Sequence, residues 1–276
     1  MKITPAAATS IENIDVIRSS SEFIGAFELS VDFAISPVDD AHLDALAKLR
    51  SDGIQFTVHA PFRDLNIASL NPGAYEAARA DMMRAIRVAD RVGASVLNVH
   101  PGIHGYFPKE YWPRMKRLEM DVYEELSDFG REHGVLVVAE NLIKTNVHFE
   151  DTWNLDGIIA LHDGWRAADK DKGVNVDTGH AYQAGLTPAD AIRRLGSRVR
   201  HLHLHDNHGG PIDEHLPIGD GTIEWEPFFA ALEEIDFQGY GVFEFRDPGR
   251  QRQAVQLLAE RFPGSVLAPG LAQPEA

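Results

Sequence analysis

Short apolar runs alternate with longer amphipathic stretches along nearly the whole chain. Eight runs are apolar or β-branched and end in polar residues: KITPAAAT, FIGAFELSVD, IQFTVHAPF, ASVLNVHPG, VLVVAENL, GVNVDTGHA, RHLHLHDN and YGVFEF. Such near-continuous runs are typical of parallel strands buried on both faces. Strands that alternate with helical stretches indicate βαβ units and the α/β class, and eight units in about 250 residues favour a single (β/α)8 TIM barrel.

The stretches between these runs carry helix-end signals. Residues 71–93 contain an early proline and close on Gly93, and residues 113–134 close on Gly134. Thr187 is a candidate N-cap with Pro188 at the first helical position. No linker or low-complexity segment divides the chain. We therefore expect one barrel domain over residues 1–263 and a loose C-terminal tail over residues 264–276.

Composition and charge limit the metal ligands, the location and the substrates that the chain could have. The chain contains no cysteine, so any metal site must use nitrogen and oxygen ligands. No segment approaches the roughly 18 uninterrupted apolar residues of a membrane span, so we expect a cytoplasmic protein without membrane contact. The formal net charge of −16 disfavours a polyanion such as duplex DNA as substrate. Bound divalent ions would each offset two negative charges.

Imidazoles and carboxylates end or follow six of the eight predicted strands, with His100 as the last residue of the fourth and Glu244 near the end of the eighth, and the carboxyl ends of barrel strands are where catalytic residues lie. These residues are His59, His100, Glu140, Asp177 with His180, then His201, His203 and His205 with Asp213 and His215 in the next loop, and Glu244. Any one alone could be a hydrogen-bonded histidine or a helix cap. Together they favour bound cations, because neighbouring carboxylates cannot all stay ionised. The nitrogen and oxygen mixture suits Zn, Mn or Fe.

Local spacing supports a metal site at the carboxyl-terminal rim of the strands. Asp213 and His215 are two residues apart, so in an extended segment their side chains face the same way. Asp177 and His180 flank a glycine-containing turn in DTGH. The three alternate histidines of the seventh strand share one inward face. They cannot all reach one metal, so one or two should support the ligands instead.

Seven motifs resemble, in order, those of the endonuclease IV-like, xylose isomerase-like TIM barrels: FTVHAPFRDLNIAS, LNVHPGIHG, VVAEN, GVNVDTGHAYQAG, HLHDN, DEHLPIGDG and the glutamate in VFEF. The resemblance implies a trinuclear site. One ion would be held by His59, His100 and Glu140, a second by Glu140, Asp177, His203 and Glu244, and a third by His180, Asp213 and His215. HLHDN matches the family motif from its first histidine, which makes His203 the ligand. His205 and His201 would then support the ligands.

The hypothesis that follows is metal-dependent hydrolysis of a small or single-stranded phosphodiester or phosphomonoester, with two or three ions per chain. The acidic Glu140, Asp177 and Glu244 would be the catalytic residues. Candidate substrate contacts are Arg63, Lys144, Arg246 and His104, although solvated surface charge explains each basic residue equally well. The chain carries NLIKTNVHF where the DNA repair enzymes carry a glycine-rich segment, which argues against a repair function.

Two other interpretations stay open. A sugar or sugar-phosphate isomerase or epimerase would use a single ion, with Glu140 and Glu244 moving a proton beside a carbonyl. Under that interpretation His59, His100, Asp213 and His215 bind substrate or support the structure. A non-catalytic metal-binding barrel would turn over neither phosphoesters nor sugars.

Overall fold

The strands form a closed barrel. The computed structural model describes residues 1–36, 38–105, 107–143 and 155–262. Eight parallel strands pair in sequence order, and the first also pairs with the last. They are β1 (Lys2–Ser10), β2 (Ala26–Ser30), β3 (Gln55–His59), β4 (Val96–Val99), β5 (Leu136–Glu140), β6 (Lys172–Asp177), β7 (Val199–Leu204) and β8 (Gln238–Phe243). The predicted (β/α)8 barrel is confirmed.

Helices follow the strands and pack outside them. Those within the described ranges are α1 (Ile14–Ser20), α2 (Asp40–Ser51), α3 (Pro72–Val92), α4 (Trp112–Glu132), α5 (Leu155–Gly164), α6 (Thr178–Gln183), α7 (Pro188–Leu195), α8 (Trp225–Glu234) and α9 (Pro248–Arg261). Over the part of the chain that the structure describes, no helix combines the length and apolar character needed to cross a membrane.

The helix ends predicted from the sequence carry capping interactions in the structure. The side chain of Asn71 accepts hydrogen bonds from the first turn of α3, and Gly93 closes that helix with φ 69°. Thr187 caps α7 by accepting from the backbone amide of Asp190. Helix α4 ends two residues before Gly134, whose φ of 70° turns the chain toward β5.

The outward side chains of the strands pack against the helices, and the inward side chains fill the barrel. Residues such as Val58, Leu97 and Leu202 belong to the apolar layer between strands and helices. Several inward residues are polar and buried: Glu28, Thr57, Asn98, Asn175 and His201. They bond one another: Thr57 Oγ1 donates to Glu28 (3.1 Å), and Asn175 Nδ2 donates to Asn98 (3.2 Å). This buried network forms a polar floor beneath the carboxyl-terminal rim.

Some predicted boundaries differ from the structure. Strands β4 and β8 end one residue earlier than expected, so His100 and Glu244 begin loops rather than end strands. The proposed tail, residues 264–276, and the candidate substrate residue Lys144 lie outside the described residues.

Candidate metal centre

The rim gathers the side chains that the sequence singled out. His59, Glu140 and Asp177 end their strands, and His203 lies on the inward face of β7. Because all eight strands run in parallel, these carboxyl ends meet at one end of the barrel. Within the described residues, each of the nine predicted ligands contributes an atom to at least one group of imidazole and carboxylate donors that lie within 4.8 Å of one another.

Glu140 stands between two of these groups. Its Oε2 lies 3.2 Å from Nε2 of His100 and 3.7 Å from Nε2 of His59. Its Oε1 lies 3.4 Å from Nδ1 of His203. Atoms bound to one tetrahedral zinc lie about 3.4 Å apart, given metal–ligand bonds near 2.1 Å. Each oxygen of Glu140 is thus spaced from its neighbours as a metal ligand would be.

His203 shows how the polar floor sets a ligand's orientation. Its Nε2 is 2.8 Å from Oε1 of Glu28, a hydrogen-bonding distance. Its Nδ1 therefore faces the rim, where Glu244 Oε1 lies 3.2 Å away and Asp177 Oδ2 lies 3.8 Å away. A carboxylate behind a metal-binding imidazole fixes its tautomer and raises its basicity.

Glu28 contacts the site and was not singled out from the sequence. Its carboxylate accepts hydrogen bonds from both His201 (2.7 Å) and His203. Burial alone would raise the pKa of Glu28, but His203 and His201 hold that pKa well below its usual range. The signal was present: a glutamate inside the apolar run AFELSV needs a buried partner.

His59 is suited to bind metal as a neutral imidazole. Its Nδ1 is 2.8 Å from the carbonyl oxygen of Ala60, so Nδ1 donates and Nε2 remains toward Glu140. Burial and the neighbouring His100 lower the pKa of His59. A neutral ring keeps the lone pair that a metal requires.

A third group forms beside the loop that follows β7. Asp213 Oδ2 lies 2.7 Å from Nε2 of His215 and 3.2 Å from Nε2 of His180. Burial would raise the pKa of Asp213, yet these two imidazoles hold it well below its usual range. Burial lowers the pKa of His215, but Asp213 and Glu244 raise it to about 9. Such a carboxylate-imidazole cluster gives up protons when it binds a divalent ion.

Two local expectations for this group were wrong. DTGH is the start of a helix rather than a turn: Asp177 is the N-cap of α6, and its Oδ1 accepts from the backbone amide of His180 (2.7 Å). The segment from Asp213 to His215 is not extended either, because His215 adopts φ 49°. A non-glycine residue in this left-handed region is strained, and such strain concentrates at functional sites.

The donors at the rim fit divalent cations. Within the described chain, buried Nδ1 of His203 has no hydrogen-bond partner, although oxygens of Glu140, Asp177 and Glu244 surround it. A nitrogen encircled by carboxylates at 3.2–3.8 Å is placed so that it could share a divalent ion with them. The set contains nitrogen and oxygen donors only, which suits Zn, Mn or Fe.

The donors open onto a cavity of about 810 Å³ whose lining includes His59, His100, Glu140, Asp213, His215 and Glu244. Arg63 and Arg246 also line it, and Nη1 of Arg63 contacts Oδ2 of Asp32 at 3.0 Å. The other candidates lie apart from that lining: His104 is buried 3.8 Å from Glu119, and His201 lies in the polar floor.

Sequence comparison decides the family. A family model described as a xylose isomerase-like TIM barrel matches residues 23–261. The chain belongs to the xylose isomerase-like TIM barrel family. The resemblance inferred from the ordered motifs is therefore confirmed.

Relatives of this xylose isomerase-like barrel carry different descriptions. An uncharacterized protein of Methanocaldococcus jannaschii is 31% identical over 193 residues, which are 67% of this chain and 62% of that protein. A probable endonuclease 4 of Thermoplasma acidophilum is 30% identical over 200 residues, 67% of this chain and 66% of that protein. A solved D-tagatose 3-epimerase-like protein covers 95% of this chain and 97% of its own, with TM-score 0.83 and 23% identity, and it supports the fold alone.

Proposed function

We propose that this chain is a metal-dependent phosphoester hydrolase with a multinuclear divalent metal centre. The observation that carries the proposal is the position of Glu140, whose Oε2 faces His59 and His100 while its Oε1 faces His203 in a separate group of donors. A carboxylate so placed can bridge two ions, and pairs of ions about 3.5–4 Å apart recur in phosphatases and nucleases. The similarity to a probable endonuclease 4 supports the same class of chemistry.

Bound ions would supply a hydroxide near neutral pH and stabilise the leaving oxygen of the phosphoester. The chain's own residues hold and surround that centre. His59, His100 and Glu140 would hold one ion, and Glu140, Asp177, His203 and Glu244 a second. Asp213 with His180 and His215 would hold a third.

The residues that would bind the substrate line the cavity. Arg63 and Arg246 would contact phosphate oxygens, and Asp32 orients Arg63. The acidic chain favours a small or single-stranded substrate over a duplex, because a duplex brings many phosphates close to its surface.

Aryl phosphoesters test the proposal. Wild-type protein loaded with Zn or Mn should hydrolyse bis(4-nitrophenyl) phosphate or 4-nitrophenyl phosphate, with nitrophenolate release as the measurement. Glu140→Gln removes the proposed bridge and should lower the rate by about 100-fold or more. Glu12→Gln, an exposed carboxylate outside the cavity lining, should keep the wild-type rate. Unchanged turnover in Glu140→Gln would contradict the role of the bridge.

One observation favours a second candidate, a sugar epimerase or isomerase. Glu140 Oε1 and Glu244 Oε1 both approach Nδ1 of His203, at 3.4 and 3.2 Å, so two carboxylates flank one ligand group. Such a pair can remove and return a proton beside a carbonyl. The D-tagatose 3-epimerase-like fold is consistent with it. Deuterium uptake from heavy water into a ketose, without phosphoester hydrolysis, would establish this candidate and contradict the hydrolase.

A further inference from the structure

His205 occupies a position between two groups of the metal centre. The residue follows β7, and its side chain is completely buried. Its Nε2 lies 3.8 Å from Glu244 Oε2 and 3.9 Å from Asp213 Oδ1. Its ring centroid is 4.3 Å from that of His215 and 6.0 Å from that of His180. The ring is therefore part of the third group of donors rather than a remote support.

Space for this ring depends on one glycine. A Cβ at Gly179 would lie 2.0 Å from Cε1 of His205 and 2.7 Å from Nε2. Gly179 lies inside α6, where glycine is less favourable than alanine and where no left-handed backbone requires it. The absence of a side chain at residue 179 is what lets the imidazole reach the rim.

Four side chains bring one donor atom each to the third group. Atoms of His180, His205, Asp213 and His215 all lie within 4.8 Å of one another. His180 is oriented by its Nδ1, 3.0 Å from the carbonyl oxygen of Asn141, which leaves Nε2 for the group. Three imidazoles and one carboxylate complete tetrahedral zinc coordination without an open position.

We propose that His205 is a fourth protein ligand of the third ion, which the protein then coordinates fully and holds for structure rather than for substrate. This inference rests on the proposed metal centre and not on the proposed reaction. It assigns the chemistry to the two ions around Glu140. The competing interpretation is that His205 only hydrogen-bonds Asp177, whose Oδ1 lies 3.0 Å from Nε2.

Resistance to a chelator tests the assignment. Zinc-loaded wild-type protein is dialysed against EDTA, and the zinc that remains is measured by elemental analysis. Wild type should retain one ion per chain and His205→Asn none, because an asparagine amide can still bond Asp177 but is a poor zinc ligand. The control His162→Asn removes another buried histidine, on α5 and away from the cavity lining, and should retain one ion.

A second variant and a direct measurement guard against misfolding of His205→Asn. Gly179→Ala keeps the histidine but displaces its ring, and it should also lose the retained ion. In nitrogen-labelled wild-type protein loaded with NMR-active cadmium, a one-bond coupling between cadmium and Nε2 of His205 is expected. A retained ion in His205→Asn, or an uncoupled His205, would overturn the assignment. A wild-type protein that retains the ion but hydrolyses no phosphoester contradicts the hydrolase alone.

Discussion

At the scale of single residues, three of the proposed histidine ligands use one nitrogen on the protein and leave the other for the rim. His59 donates from Nδ1 to Ala60, His180 donates from Nδ1 to Asn141, and His203 uses Nε2 on Glu28. The sequence identified these imidazoles because they follow strands. It could not reveal which nitrogen faces the site, since that depends on partners such as Glu28, distant in the chain.

Glu28→Gln tests this orienting role. A glutamine has one acceptor oxygen, so it cannot serve both His201 and His203, and one buried imidazole loses its partner. We expect metal affinity to fall about 10- to 100-fold, as is typical when a partner behind a ligand is removed. Competition with a chromophoric chelator measures it. Glu119→Gln, equally buried but away from the rim donors, should retain wild-type affinity; an equal loss there would refute the specific role of Glu28.

Glu119 also gives a pH prediction. Burial raises its pKa to about 8, which the amide of Gly102 and the charge of Lys116 only partly offset, and His104 lies 3.8 Å away. Between the ordinary glutamate pKa of about 4.3 and that raised value, the folded state holds a proton that the unfolded state has lost. Wild-type stability should therefore fall as pH rises, by about 1.4 kcal/mol per pH unit relative to Glu119→Gln. Urea unfolding from about pH 5.5 to 7.5 measures this slope, and a pH-independent difference would refute the raised pKa.

At the scale of elements, the loop between β7 and α8, residues 205–224, is held by one carboxylate. Asp206 Oδ2 accepts from Gly219 N and from Trp225 Nε1, both at 2.9 Å, and its Oδ1 accepts from Ile223 N at 3.1 Å. Backbone bonds between Asp206 and Leu216 close the loop. This framework positions Asp213 and the strained His215. The sequence indicated the pair but not the framework, because these bonds join residues 10 to 19 positions apart.

Two glycines of this loop offer a matched test. A Cβ at Gly221 would lie 2.3 Å from Oδ1 of Asp206 and 2.7 Å from the amide of Asn207, whereas a Cβ at Gly210 would meet nothing within 4 Å. Gly221→Ala should destabilise the protein by about 1–3 kcal/mol and weaken binding of the third ion. Gly210→Ala should change stability by no more than about 0.5 kcal/mol. Equal effects in urea unfolding would refute the role of Asp206.

At the scale of the whole molecule, the barrel was predictable because each strand is a nearly continuous apolar run and each run ends in polar residues. The polar residues at the ends of these runs, among them His59 and Glu244, also predicted which side chains lie at the carboxyl-terminal rim. The polar floor was not predictable from single runs, since Thr57, Asn98 and Asn175 become a network only when β2 through β7 close around them. The ligand role proposed for His205 was not predicted, for a related reason: the space that its ring needs is provided by Gly179 on another element.

Metal stoichiometry tests the central claim most directly. Protein purified without chelators is analysed for metal content per chain, in wild type, His59→Ala and His215→Ala. The account predicts two or three ions in wild type, with loss of an ion from the first group in His59→Ala and from the third in His215→Ala. A single ion that survives both substitutions would contradict the multinuclear centre.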